Sequence, residues 1–136
     1  MSASPAAKGL LDTSIFITTE SGRSIREKEV PEVSAISVVT TAELRAGVLA
    51  AEDIATRDQR LVTLEVAMSI AVLPITEGVG RIWAQMRAYL VAAGRRVNAN
   101  DLWIAATAAA YELPIVTQDA DFDALSGVAG LTVVNV

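Results

Sequence analysis

Short segments rich in β-branched residues alternate with longer segments of helical periodicity, and this alternation constrains the fold more than any other feature. Strands are predicted at residues 9–11, 34–39, 71–75, 114–117 and 131–136. Helices are predicted at residues 15–19, 40–51, 53–69, 76–93 and 100–112, with one further turn at residues 121–125. Strands that alternate with helices form a mainly parallel sheet covered on both faces. We therefore expect a three-layer α/β/α fold.

The chain has 136 residues, the size of one ordinary domain, and contains no repeat, low-complexity tract or linker. We expect one domain over residues 1–136. The longest nearly unbroken apolar run, residues 102–111, is shorter than the ~18 residues that span a bilayer. Residues 1–8 lack the apolar core of a secretory signal. These features predict a cytoplasmic protein without a membrane segment.

Hydrophobic residues make up 52% of the sequence, a large share for so small a chain. A small fold has a high surface-to-volume ratio and cannot bury all of its apolar side chains. Part of the apolar surface is therefore expected to lie in a subunit or partner interface.

The sequence contains neither cysteine nor histidine. Without cysteine there are no disulfides, thiolate nucleophiles or cysteine-based metal sites. Without histidine there is no imidazole base for Ser-His-Asp or Cys-His catalysis. A hydrolase built from this chain must activate water with carboxylates, a lysine or a hard metal ion held by oxygen ligands.

Four acidic residues stand where an α/β fold forms its ligand site. Asp12 follows the first predicted strand, and Asp119 follows the fourth. Glu43 and Asp101 lie in the first turns of predicted helices, Glu43 in a predicted capping box with Thr40. Helix starts and the carboxyl ends of parallel strands share one edge of the sheet, where ligands bind. The four carboxylates are therefore expected to converge there.

Each acid on its own is equally well explained as a helix cap or a first-turn charge. The group is harder to explain that way, because two unit charges ~4 Å apart repel by roughly 4 kcal/mol at an effective dielectric of 20. Four acids at one sheet edge therefore predict a divalent cation that absorbs their charge. Other acids, such as Glu27, Glu52 and Asp58, stand in polar stretches and are interpreted as solvated surface.

Four short motifs resemble those of PIN-domain ribonucleases in both order and spacing. They are LLDTS at residues 10–14, VTTAEL at 39–44, NDLWIAATA at 100–108 and TQDADF at 117–122. The resemblance extends from the first strand to the last. Among PIN proteins, a chain of this length is most similar to the VapC toxins of VapBC toxin–antitoxin modules.

That resemblance implies a metal-dependent endoribonuclease that acts as the toxin of a type II toxin–antitoxin pair. Asp12, Glu43, Asp101 and Asp119 would bind Mg²⁺ or Mn²⁺ and serve as the catalytic acids. The resemblance also implies a homodimer and a small antitoxin partner that presents a basic segment to the acidic pocket. It leaves room for Asp121 as a water-mediated ligand. Two residues of helix rotate a side chain by roughly 200°, however, so Asp119 and Asp121 are expected to point apart.

Ser14 would lie beside the site and orient a ligand or water, although a helix cap explains a serine there equally well. Asn100 is better explained as a cap than as a ligand. Trp83 and Trp103 lie in apolar helical patterns and are predicted to be core or interface residues rather than platforms for base stacking.

An RNA substrate also requires cationic contacts to its phosphates. The candidates are Arg23, Arg26, Lys28, Arg45, Arg95 and Arg96, most of which are equally well explained as solvated surface charges. The formal net charge of −5 counts against a broad nucleic-acid-binding face.

Other protein classes fit the sequence less well. A haloacid-dehalogenase-like phosphatase requires a second aspartate two residues after the first, where this chain has Ser14. A receiver domain requires a late lysine, and the last lysine here is Lys28. The remaining alternative is a catalytically silent PIN-like module that binds an antitoxin and helps repress its operon. The presence of four mutually repelling acids argues against it.

Overall fold

The computed structural model describes residues 7–136, so the prediction about residues 1–8 lies largely outside the described residues. Its centre is a five-stranded parallel sheet with the strand order β3-β2-β1-β4-β5. The strands are β1 (Lys8–Leu11), β2 (Val33–Ser37), β3 (Ala71–Leu73), β4 (Ile115–Thr117) and β5 (Val133–Asn135). All five coincide with predicted strands, and the parallel pairing confirms the expected α/β fold.

Five α-helices surround this sheet. They are α1 (Thr13–Glu20), α2 (Val38–Ala50), α3 (Ile54–Met68), α4 (Glu77–Ala93) and α5 (Ala99–Ala110). Short 3₁₀ helices occupy Glu27–Glu29, Ala120–Leu125 and Val128–Gly130. Within residues 7–136, no helix is both long and apolar enough to cross a membrane.

Each face of the sheet carries its own apolar core, because successive residues of a strand point to opposite sides. Leu10 and Ile115 belong to a core completed by α4 and α5, with Met86 fully buried in it. Leu11 and Val116 belong to the core on the other face, which is completed by α1, α2 and α3. The helices therefore form two outer layers, and the predicted three-layer arrangement is confirmed.

The strand order reverses between β1 and β4. From β1 the chain builds outward through β2 and β3, and it then returns to place β4 on the other side of β1. Leu11 pairs with Val116 across this junction, so the residues that follow both strands emerge side by side. Ligand sites of open α/β sheets lie at such a reversal, outside the carboxyl ends of the strands.

Helix α2 begins earlier than the sequence predicts. Strand β2 ends at Ser37, whose hydroxyl oxygen caps the helix by accepting from the Val39 amide at 3.0 Å. The predicted strand end at residue 39 and the capping box of Thr40 with Glu43 are therefore wrong. Thr40 is fully buried inside the helix, and Glu43 lies in its second turn.

Two other boundaries also differ from the predictions. Helix α5 is capped by Asn98, which accepts from the Asn100 amide at 2.9 Å, so the interpretation of Asn100 as the cap is wrong. Asp101 nevertheless lies in the first turn of α5, as predicted. Strand β3 lies at a sheet edge and ends before Pro74, so it is shorter than the predicted strand at residues 71–75. Proline cannot donate a hydrogen bond to the strand ladder.

Candidate active site

Asp12 lies at the carboxyl end of β1, caps α1 and is 2% exposed. The hydroxyls of Ser14 and Thr117 donate to its Oδ2 at 2.6 and 2.7 Å, and the Ser14 amide donates at 3.3 Å. Burial raises the pKa of the Asp12 carboxyl, while these hydrogen bonds oppose the shift. Asp12 is thus a buried acid whose orientation is set by its neighbours.

The same two hydroxyls connect Asp12 to the segment that follows β4. Ser14 Oγ accepts from the Gln118 amide at 2.9 Å, and Thr117 Oγ1 accepts from the Asp119 amide at 2.8 Å. Each hydroxyl therefore donates to the carboxylate and accepts from the neighbouring backbone. These two bridges couple the positions of Asp12 and Asp119. Ser14 lies inside α1, beside the site, and is not the helix cap.

Glu43 is held by a second set of hydroxyls. The Thr13 hydroxyl donates to Glu43 Oε1 at 2.8 Å and lies 3.0 Å from the Thr40 hydroxyl. Because the single hydroxyl proton of Thr13 points to Glu43, the buried Thr40 hydroxyl is the donor to Thr13. These two hydrogen bonds, from Thr40 to Thr13 and from Thr13 to Glu43, thus tie the Glu43 side chain on α2 to the start of α1.

Three further acids form a tight cluster. One carboxylate oxygen from each of Asp101, Asp119 and Asp121 lies within 4.8 Å of the other two. The expectation that Asp119 and Asp121 point apart is therefore wrong. It assumed helical rotation between them, but Asp119 has an extended backbone and caps a 3₁₀ helix that contains Asp121. Asp119 Oδ1 accepts from the Asp121 amide at 2.9 Å in this cap.

Electrostatics link the two groups of acids. Burial and the neighbouring negative charges raise the pKa of Asp101 to about 7. Burial is the largest cause, followed by the charges of Asp12, Asp119, Glu43 and Asp121. Asp12, Glu43 and Asp119 therefore all lie close enough to Asp101 to influence it, as does Asp121. Either a proton or a divalent cation relieves their repulsion.

The donor set suits a hard divalent cation. Mg²⁺ and Mn²⁺ prefer carboxylate oxygens, and the cluster offers three of them close together. In the part of the chain that the structure describes, no lysine or arginine forms an ion pair with these acids. The negative charge is thus left available for a metal rather than neutralised by a side chain.

Three threonines support these acids although no role was predicted for them at the site. Thr13 and Thr117 fall within the first and fourth motifs, and Thr40 was predicted to be a helix cap. The signal that could have revealed Thr13 and Thr117 is their position beside Asp12 and just before Asp119. Their partners lie 30 and 105 residues away along the chain, so local patterns do not show these contacts.

Two clefts flank Glu43. One of about 370 Å³ is lined by residues that include Thr13, Glu43 and Arg60. The other, of about 460 Å³, is lined by residues that include Glu43 and Asn100. The cations expected to contact phosphate do not line either cleft, whereas the unpredicted Arg60 does and donates to the Gly47 carbonyl at 2.8 Å.

Trp83 and Trp103 stack on each other between α4 and α5, with ring centroids 4.9 Å apart. Both rings are partly buried against the apolar core on that face of the sheet. They were predicted to be core or interface residues, and this packing places them against the core, where the stack joins the two helices.

Comparisons with known proteins place this chain within a known family. Residues 9–128 match the PIN domain family, and the chain belongs to that family. It is 52% identical to Ribonuclease VapC5 of Mycobacterium tuberculosis over 136 residues, the full length of both proteins. Ribonuclease VapC4 of the same organism is 40% identical over 126 residues, which are 93% of this chain and 97% of that protein.

A solved structure supports the same grouping. The crystal structure of VapBC-5 from Mycobacterium tuberculosis, a member of the VapBC family of toxin–antitoxin systems, matches with a TM-score of 0.90 and 47% identity. The match covers 96% of this chain and 100% of that chain. The resemblance indicated by the four sequence motifs is therefore confirmed over nearly the whole length.

Proposed function

We propose that this chain is a divalent-metal-dependent endoribonuclease that acts as the toxin of a type II toxin–antitoxin pair. The observation that carries the proposal is the proximity of Asp12, Glu43 and Asp119 to Asp101, with Asp121 in the same cluster of carboxylates. Since the chain has no histidine or cysteine, carboxylates that hold a metal are its best means of activating water. Its similarity to VapC ribonucleases over the full length supports RNA as the substrate.

In this proposal, Asp12, Glu43, Asp101 and Asp119 are the catalytic acids that hold Mg²⁺ or Mn²⁺. A bound ion of this kind lowers the pKa of a coordinated water and stabilises charge on phosphate oxygens. The chain itself keeps the ligands oriented. Ser14 serves this role for Asp12, because its hydroxyl joins that carboxylate to the Gln118 amide.

Purified protein, cellular RNA and added Mg²⁺ or Mn²⁺ provide the test. We expect cleavage that stops in excess EDTA and returns with Mn²⁺, and sequencing of the new 5′ ends will identify the bonds that are cut. Asp12→Asn is expected to remove cleavage while the circular dichroism spectrum stays native. Asp58→Asn, at an exposed position on α3, is the control. Cleavage that continues in EDTA would exclude this mechanism.

The alternative of a catalytically silent module predicts a different result. A silent module that only binds an antitoxin needs no affinity for Mn²⁺. Calorimetric titration with Mn²⁺, together with the cleavage assay, separates the two functions. If the wild-type protein neither binds Mn²⁺ nor cuts RNA but still binds its antitoxin, the silent module is the correct function.

We also propose that the chain forms a homodimer and binds a small antitoxin. Helices α2 and α3 expose large apolar side chains, among them Leu49 at 76%, Ile54 at 87% and Val66 at 55%. Such a surface favours a protein partner. The acidic pocket favours an antitoxin segment that carries arginine, because opposite charges complement each other.

The homodimer is tested by size-exclusion chromatography with light scattering. The antitoxin complex is tested by co-purification from the native operon. We expect a dimer of this chain and a smaller protein bound to it. A monomer at micromolar concentration without a co-purifying partner would contradict this part of the proposal. We further propose that residues 1–136 act as one domain in the cytoplasm, and limited proteolysis should then yield a single resistant fragment.

A further inference from the structure

A groove at the C-terminal end of α4 gathers three arginines. Its volume is about 600 Å³, and Arg87, Arg95 and Arg96 line it together with apolar residues such as Val91 and Val97. All three arginines are exposed to solvent. The groove is separate from the two clefts beside Glu43, neither of which has more than one cation in its wall.

The positive charge of this groove has no partner among the described residues. Five other arginines contact a carboxylate, a polar side-chain atom or a backbone carbonyl, namely Arg23, Arg26, Arg45, Arg57 and Arg60. Within residues 7–136, no carboxylate lies within 4.0 Å of Arg87, Arg95 or Arg96. Three like charges around one groove repel one another, so the arrangement favours an anionic ligand.

The backbone holds these arginines in defined positions. Gly94 has a left-handed φ of 66°, and its amide bonds to the Val91 carbonyl at 3.2 Å. The Arg95 amide bonds to the Leu90 carbonyl at 3.0 Å, which completes a Schellman motif. The helix dipole favours a cation at this end of α4, but it does not require three around one groove.

The groove also lies close to the acidic pocket along the chain. Val97 and the cap residue Asn98 are all that separate Arg96 from α5, whose first turn carries Asp101. Two extended residues followed by one helical turn place the Cα atoms of Arg96 and Asp101 within roughly 13 Å of each other. A single RNA strand of a few nucleotides can span that distance.

We propose that Arg87, Arg95 and Arg96 bind the phosphate backbone of single-stranded RNA next to the acidic pocket. The inference rests on the proposed ribonuclease function and names where the substrate is held. It explains how a chain with a net charge of −5 and an acidic pocket retains a polyanion. Guanidinium groups pair with phosphate through two parallel hydrogen bonds, and such contacts position a strand without selecting its bases.

Two triple variants with the same loss of charge test the groove. Arg87→Gln, Arg95→Gln and Arg96→Gln remove its cations, while Lys8→Gln, Arg57→Gln and Arg81→Gln remove three exposed cations elsewhere. Binding of a labelled oligouridylate is measured by fluorescence anisotropy in EDTA at several salt concentrations, so that metal and cleavage play no part. We expect the groove variant to bind RNA more weakly by about tenfold or more. Its plot of log K against log [salt] should become less steep by about 2, since each arginine–phosphate contact contributes ~0.7 to the steepness. The control variant should change both quantities much less.

The results distinguish failure of this proposal from failure of the proposed function. If the wild type cleaves RNA but the groove variant binds and cleaves like the control, the groove proposal is wrong and the ribonuclease function stands. If arginine-dependent RNA binding occurs without cleavage in Mn²⁺, the groove proposal stands and the ribonuclease function is wrong. If RNA binding is unchanged but affinity for polyglutamate falls, the groove docks an acidic protein segment and the proposal is wrong.

The melting temperature of each variant is measured to check that the variant is folded. If the triple glutamine variant is unstable, Arg96→Gln alone is measured in the same way, because this exposed position lies outside both helices. Its salt slope should fall by about 0.7. An unchanged slope in that single variant would also overturn the proposal.

Discussion

The two halves of the acidic pocket are built differently. Asp12 and Glu43 receive hydroxyl hydrogen bonds of 2.6–2.8 Å from Ser14, Thr117 and Thr13. The cluster of Asp101, Asp119 and Asp121 has no side-chain hydroxyl donor within the described chain. Its carboxylates lie within 4.8 Å of one another, and its one local donor is the Asp121 amide.

This difference suggests different roles for the two halves, one in orienting the carboxylates and the other in attracting a cation. Hydrogen bonds in the first half hold two carboxylates in place whether or not a cation is bound. Burial of Asp101, together with the negative charges of acids from both halves, raises its pKa to about 7 and makes a proton or a cation favourable there. If the pocket binds a metal as proposed, the hydroxyl-bonded half positions the ion, and the clustered half adds three closely spaced carboxylates that attract it.

The largest effect is expected from Asp101→Asn. Loss of its charge removes the acid that all the others influence, so Mn²⁺ affinity and RNA cleavage should each fall by more than about 100-fold, beyond the range usual for outer-shell changes. Calorimetric titration and a cleavage assay measure the two quantities. Asp123→Asn, an exposed acid on the neighbouring 3₁₀ helix, is the matched control. If Asp12→Asn weakens Mn²⁺ binding more than Asp101→Asn does, the assigned roles of the two halves are reversed.

A smaller effect is expected from Thr117→Val in the hydroxyl-bonded half. The substitution removes the donor to Asp12 and leaves the Asp119 amide without its acceptor. We expect cleavage to fall by about 10–100-fold and the free energy of unfolding to fall by about 1–3 kcal/mol. Mn²⁺ affinity should fall less than in Asp101→Asn.

Thr107→Val provides the control for a buried threonine. Its hydroxyl is equally buried but donates only to the Trp103 carbonyl within its own helix. It should lose some stability and no specific activity. Equal loss of activity in the two variants would mean that Thr117 acts only through general stability.

The sequence predicted the sheet, the helices and the edge at which the acids meet, because hydrophobic periodicity and strand–helix alternation reflect burial directly. It did not predict where α2 begins. Val38 and Val39 are β-branched and favour a strand locally, yet Ser37 caps a helix that starts with them. Here tertiary burial of Thr40 outweighs the local preference.

The arrangement inside the pocket was less predictable. Asp121 was expected to turn away because an α-helix was assumed, and the sequence does not distinguish that helix from the 3₁₀ turn that forms. The threonine contacts were not predicted either, because Thr117 and Asp12 are 105 residues apart and only the β1–β4 junction brings them together. The sequence patterns indicate which edge of the sheet carries the site, but not which carboxylate and hydroxyl oxygens lie next to one another there.

A third prediction concerns pH and the metal-free protein. Because the pKa of Asp101 is raised from 3.8 to about 7 in the folded state, the folded protein binds this proton more tightly than the unfolded chain does. The contribution of Asp101 to stability is therefore greatest below about pH 4, declines as the pH rises towards 7 and stays low above it. Allowing for solvent screening, the decline should amount to about 1–2 kcal/mol.

Melting temperatures in EDTA from pH 4 to 8 measure this effect as the difference between wild type and Asp101→Asn. The variant should become the more stable of the two as the pH rises, because the amide carries no charge. Groups that do not interact with Asp101 cancel in the difference, including Asp53, whose pKa is lowered by hydrogen bonds from Thr56. A difference that stays constant with pH would show that repulsion in the cluster is already relieved without a metal.

The smallest contrast is expected within the cluster, between Asp119 and Asp121. Both carboxylates reach the same space, so charge alone does not rank them. Asp119 is partly buried, and its amide is bound by Thr117, so its position is coupled to Asp12. Asp121 is exposed, and its amide is held by the Asp119 carboxylate.

We therefore expect Asp121→Asn to lower Mn²⁺ affinity and cleavage by about tenfold or less, as for a ligand acting through water, and Asp119→Asn to lower both further. Because Asp119 also caps the 3₁₀ helix, its substitution should cost about 0.5–2 kcal/mol of stability, and activities must be compared at a temperature where both variants are folded. Calorimetric titration with Mn²⁺ above pH 7 provides the cleaner comparison, since Asp101 is then ionised without the metal. If Asp121→Asn is the more damaging variant while its melting temperature is unchanged, Asp121 is the direct ligand. Asp119 would then serve the site by capping the turn that presents Asp121.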